Sequence, residues 1–188
     1  MKMKVSNIGR MREPGGKNGV VKWLFRIAAL VVLVVWMLVI SGFSGQNAEH
    51  SGNLSFAVSC VIVREYAQIT GTEMTEEEIV EQARQIEHPV RKLAHMTEYG
   101  ILALLIWINL MMYEGVRYRY LLAEVGTVIF AGTDEFHQTF VDGRAGRLTD
   151  VLIDSCGGVL ALLVLWGICT FCRQAVFLAK KKEVVVNR

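Results

Sequence analysis

Long apolar runs alternate with compact polar clusters along this chain, and the runs are too long for the core of a soluble domain. Trp23 to Ile40, "WLFRIAALVVLVVWMLVI", carries one charge, Arg26. With Val20 and Val21 it reaches the roughly 20 apolar residues that span a bilayer core. Three further runs predict helices over about 89–113, 121–140 and 151–172. Their short links predict antiparallel neighbours. Between the first and second runs, "TEEEIVEQARQIE" opens on Thr75 with Glu78 three residues on, the spacing of a capping box. A short helix is expected there. A second, more apolar helix is expected over Ser55–Ile69, lying on the membrane surface because it is too short to span.

Composition agrees with the pattern. Of 188 residues, 53% are hydrophobic, and the mean hydropathy of +0.37 points to a multi-pass membrane protein. The basic start, "MKMKVSNIGRMREPGGKNGVVK", also suits a cleaved signal peptide. The length of the apolar run and the poor cleavage site in "ISGFSGQ" favour a retained first span.

Charge then orients the spans. Seven basic residues precede Ala28 against one acid, Glu13. Arg173, Lys180, Lys181, Lys182 and Arg188 follow the last run, and Arg117 and Arg119 sit between the second and third. By the positive-inside rule these three segments are cytoplasmic, which requires an even number of spans. The expected fold is therefore all-α: a four-transmembrane-helix bundle with both termini cytoplasmic. Residues 1–22 form a basic leader, 23–172 the transmembrane domain, 41–88 an external helical segment and 173–188 a basic tail. The external segment holds eight glutamates against Arg64 and Arg84, consistent with that orientation. Lipid, not nucleic acid, is the expected partner, and the oligomeric state is left open.

The polar residues inside the runs are the candidate chemistry, because ionisable groups in membrane helices are costly and tend to mark sites. Arg91, His95 and Glu98 share one helical face, and Lys92 and Tyr99, next to them in the chain, complete an R-K-x-x-H-x-x-E-Y motif. Asp134, His137 and Gln138 share a face of the third run, and Glu135 shares part of it. Asp150 and Asp154 lie one turn apart on the fourth. Under the four-span topology all fall in the outer third of their spans, which predicts one outward-facing polar pocket. "DGRAG" reads as a tight turn that returns Arg144 and Arg147 over it. His50 and His88 are expected at the surface, and Glu124 against a partner helix or headgroups. Gly157 and Gly158 are expected to permit close helix approach. "CTFC" has C-x-x-C spacing without a second pair, and Ser155 lacks a nucleophile elbow.

Two motifs in order, R-K-x-x-H-x-x-E-Y in "RKLAHMTEYGILALL" and D-E-x-H-Q-x-F…R…D-x-x-x-D in "DEFHQTFVDGRAGRLTDVLIDSCGGVLALL", resemble the VanZ-like family, as do "SGFSGQ" and "HSGNLS" after the first run. The resemblance runs from Trp23 to Trp166 and implies a multi-pass bacterial membrane protein. It implies an association with resistance to teicoplanin, a glycopeptide antibiotic carrying a fatty-acyl chain. Residues 1–22 have no counterpart in it.

Three mechanisms remain open at this point. In a binding or protective role, Arg91, Lys92, Arg144 and Arg147 hold an anionic or peptide headgroup of a lipidated glycopeptide or envelope lipid, while apolar helix faces accept its acyl chain. In an intramembrane hydrolase or transferase, the catalytic candidates are His95, Glu98, Asp134, Glu135, His137, Asp150 and Asp154. There His95, Asp134, His137 and Asp154 supply ligand types for a divalent metal, Zn²⁺ or Mn²⁺, without a familiar spacing. In a lipid transporter, the carboxylates serve as proton relays.

Overall fold

A computed structural model describes residues 17–46, 48–141 and 144–186. Most of the basic leader, with Asn47, Asp142 and Gly143, lies outside them. The described residues form five helices and no strand: α1 (Lys17–Ser44), α2 (Ala48–Thr70), α3 (Glu76–Met111), α4 (Arg119–Gln138) and α5 (Leu148–Val186).

Three of them, α1, α3 and α5, are long and apolar enough to cross a membrane. The fourth expected span, α4, is not among them. Its 20 residues include Arg119, Glu124, Asp134 and Glu135, so its composition is too polar to stand as a span by itself. It is nevertheless packed along both α3 and α5.

Helix boundaries depart from the expected ones where packing overrides local signals. The capping box forms as expected: Thr75 Oγ1 accepts from the Glu78 amide at 3.3 Å, and Glu78 Oε2 accepts from the Thr75 amide at 2.8 Å. The helix it starts does not stop before the next run. It continues through Pro89 as one 36-residue rod, so the two separate helices expected over 75–87 and 89–113 are a single element. Proline removes one backbone bond from a helix interior, and here the flanking turns are held by neighbours on both sides. Upstream of it, Ile79 and Ala83 are buried against Val63 of α2, with Phe56, Cys60 and Ile86 around them. Downstream, Tyr99, Leu102 and Ala103 are buried in the bundle.

The helix expected over Ser55–Ile69 is longer than that: α2 carries 23 residues, and it packs along the first half of α3. The last helix also outruns its expected end: α5 carries 39 residues, through the basic tail to Val186.

Polar and small residues fix the seams. Arg26 donates to the Met112 carbonyl at 2.8 Å and lies over the Tyr113 ring, tying the start of α1 to the end of α3. Trp36 Nε1 donates to the Glu98 carbonyl at 3.0 Å, and Asn109 Nδ2 to the Ala29 carbonyl at 3.2 Å. Between α3 and α5 the backbones come together at Gly157, where a Cβ would collide with the Met96 backbone. Gly100 meets the Gly157 carbonyl from the other side. Such small-residue seams let membrane helices come together at van der Waals contact.

Candidate functional site

The C-terminal end of α4, the N-terminal end of α5 and the middle of α3 converge on one cavity of about 220 Å³. Arg91, Lys92 and His95 enter it from α3, Glu135 and Gln138 from α4, and Asp150 and Asp154 from α5; Arg144, Ala145 and Arg147 close it from the link between α4 and α5. Apart from Ala145 and His88, which also lines the cavity, the lining residues are candidates from the sequence.

Charges in the cavity are joined across helices. Lys92 Nζ lies 2.7 Å from Asp150 Oδ1, linking α3 to α5, with both side chains about a quarter exposed. Arg91 pairs with Glu87 one turn back, and its Nε donates to Ser55 Oγ of α2 at 3.2 Å. His95 Nδ1 stands 3.3 Å from Glu98 Oε2, an ion-pair distance without hydrogen-bond alignment, since that oxygen is buried with no hydrogen-bond partner. Both side chains are about a fifth exposed, so the pair is half-buried and partial desolvation offsets much of any Coulomb energy.

Beneath the cavity lies a second polar layer. Asp134, only 6% exposed, accepts from the Tyr99 hydroxyl at 3.1 Å and from Gln138 Nε2 at 3.4 Å. Gln138 Nε2 also donates to Ser44 Oγ at 2.7 Å, which brings the end of α1 into the network. Tyr99 is 1% exposed, so its hydroxyl is committed to Asp134 and faces no open space.

The α4–α5 link is positioned by a carboxylate. Glu135 Oε2 accepts the Arg147 amide at 2.8 Å, and Gly146 makes the approach possible: a Cβ there would strike the Glu135 carbonyl oxygen. This docking carries Arg144 and Arg147 to the cavity. Neither guanidinium has a carboxylate within ion-pair distance among the described residues. Burial, followed by the facing Arg91 guanidinium, holds Arg144 below the usual arginine range. Two arginines that repel across a partly dried space make a favourable place for an anion.

Not every candidate joins the site. His137 is exposed and points the other way, toward Gly45 at the end of α1. Glu98 borders a neighbouring groove instead of the cavity. Among the described residues no three His, Cys, Asp or Glu side chains come close enough to hold a metal ion. The set His95, Asp134, His137 and Asp154 is therefore not brought together, and the residues present do not fit a Zn²⁺ or Mn²⁺ centre. Ser155 spends its hydroxyl on the Val151 carbonyl at 2.6 Å.

His88, expected as a plain surface residue, lines the rim of the cavity while remaining exposed. Ser44, Ser55 and Glu87 are network partners that the sequence did not single out. A helical wheel of α3 places Glu87 one turn before Arg91, which is the one available signal. The two serines belong to other helices, and nothing local marks them.

The family model VanZ/LLP1 matches residues 29–172, and the chain belongs to that family. No curated protein and no solved structure matches it.

Proposed function

Starting from a VanZ/LLP1-family membrane protein with this cavity, we propose that the chain binds the anionic or peptide headgroup of an amphiphile at the outer face of a bacterial cell membrane. Through that binding it lowers susceptibility to a lipidated glycopeptide such as teicoplanin. The observation that carries the reading is the convergence of Arg91, Lys92, His95, Arg144 and Arg147 on one cavity, with the last two arginine side chains left without carboxylate partners. Arginine presents a planar fork that matches carboxylate and phosphate oxygens in pairs.

The reading takes α4 as a fourth span. Its 20 residues make a helix of about 30 Å, the thickness of a bilayer core. The acids of its outer end are covered: Asp134, Glu135 and the neighbouring Gln138 are buried against α1, α3 and the link. Four spans place both termini in the cytoplasm with the basic segments, and the cavity outside. Asp150, Asp154 and Glu135 then complement donor groups on the ligand. Neither the metal-dependent hydrolase nor the transporter gains an observation in its favour, since the donor set does not fit a metal and the opposite half of the bundle carries few polar groups.

The test is direct. Purified protein in lipid nanodiscs is titrated with teicoplanin and with vancomycin, which lacks the acyl chain. Tighter binding of teicoplanin that is weakened at least tenfold by Arg144→Ala with Arg147→Ala supports the reading. Absent binding, or equal binding of both compounds, refutes it.

A further inference from the structure

A second cavity shares two side chains with the polar one. Arg91 and His95 line both; beyond them Ser51, Ser55, Gln46 and Glu98 border the second cavity, but most of its wall is apolar. Phe43 from the end of α1, Leu54 and Val58 from α2, and Val90 and Ala94 from α3 enclose a groove of about 140 Å³. Arg91 stands at the junction. Glu87 and Ser55 hold it there, and Gly52 leaves it room, since a Cβ at that position would lie 3.2 Å from Arg91 Nη2.

The groove does not end blindly against protein. Leu54 and Val58 continue into an exposed stripe on α2 formed with Val61, Ile62, Tyr66 and Ile69, one face of a helix by spacing. The opposite face of α2, with Val63 and Ala67, is buried. An apolar path thus leads from solvent-facing α2 to the wall of the polar cavity. At about 140 Å³ the groove is too small for a helix, whose diameter with side chains is about 10 Å or more, and its lining sets hydrocarbon next to a guanidinium.

We infer that this groove takes a single acyl chain of the amphiphile whose anionic head occupies the polar cavity, with Arg91 bridging head and chain. The inference rests on the proposed headgroup site. The ligand class it names is an anionic single-chain amphiphile, and Phe43, Leu54, Val58, Val90 and Ala94 set its specificity for the chain.

The experiment uses the full chain in phosphatidylcholine nanodiscs with two probes: lysophosphatidic acid bearing a diazirine on its chain, and glycerol 3-phosphate, the same head without a chain. Photoadducts are mapped by mass spectrometry, and affinities are measured for wild type, Val58→Trp and Ala94→Trp, which fill the groove from different helices. Adducts on the groove residues are expected, with affinity for the acylated probe lowered at least tenfold in either variant and glycerol 3-phosphate binding unchanged. Circular dichroism confirms that each variant is folded. Unchanged affinity for the acylated probe in both folded variants, or adducts spread over the exposed faces of α1 and α5, overturns the acyl groove while leaving the head site standing. Loss of glycerol 3-phosphate and acylated-probe binding in wild type overturns both.

Discussion

The two ends of the bundle handle buried charge in opposite ways. At the cavity end, polar residues from α1, α3, α4, α5 and the α4–α5 link meet in a network: Lys92 with Asp150, Asp134 with Tyr99 and Gln138, Glu135 with the Arg147 amide. At the other end, Glu124 of α4 stands alone. Both its carboxyl oxygens are buried without a hydrogen-bond partner, pressed toward Gly158 beside an apolar groove lined by Tyr120, Val159, Leu162, Leu163 and Trp166. An ionised carboxylate placed there would lose its hydration with nothing in exchange. The contrast teaches that polarity at one depth is not sufficient to make a site. Partners from several elements must be brought to the same place, and that happens only where three helix ends and a docked link coincide.

Substitutions can break or sharpen this contrast, measured as unfolding free energies in lipid or mild detergent. The largest effect is expected where the whole frame depends on one contact. Gly157→Leu forces α5 away from the Met96 backbone and costs about 3 kcal/mol. A stability unchanged within error would show that the α3–α5 seam is not what positions the cavity. Asp134→Leu leaves the buried Tyr99 hydroxyl without an acceptor and Gln138 Nε2 with Ser44 Oγ alone, and costs about 2 kcal/mol. Lys92→Met strands Asp150, but both groups are about a quarter exposed, so the cost falls to about 1 kcal/mol. Smallest is Glu124→Gln, which removes no interaction and should change stability by no more than about 0.5 kcal/mol. A loss as large as that of Asp134→Leu would mean that Glu124 has a partner and that the two ends do not differ.

The sequence carried much of this, and its failures have identifiable causes. The motif residues of the cavity could be placed on helix faces because 3.6-residue periodicity is local. It could not tell which neighbour flanks each face. On α4, Glu135 and His137 fall on opposite sides of the Asp134–Gln138 line, and only the position of α5 on one side and the end of α1 on the other decides that Glu135 turns inward and His137 outward. Pro89 looked like a helix start, yet tertiary packing on both sides of it keeps α3 continuous. α2 is apolar on two faces, one packed on α3 and one exposed, so its pattern alone suited a helix lying in the membrane surface. α4 was legible as a helix, whereas its share in crossing the membrane depends on how its acids are covered by α3, α5 and the link.

The central claim is that function resides at the cavity end. It is tested most directly by teicoplanin susceptibility of cells producing Arg144→Ala, Asp154→Asn or Glu124→Gln at protein levels equal to wild type. The account predicts that the two cavity variants lose protection while Glu124→Gln retains it. Protection unchanged in both cavity variants, or lost equally in all three, would contradict it.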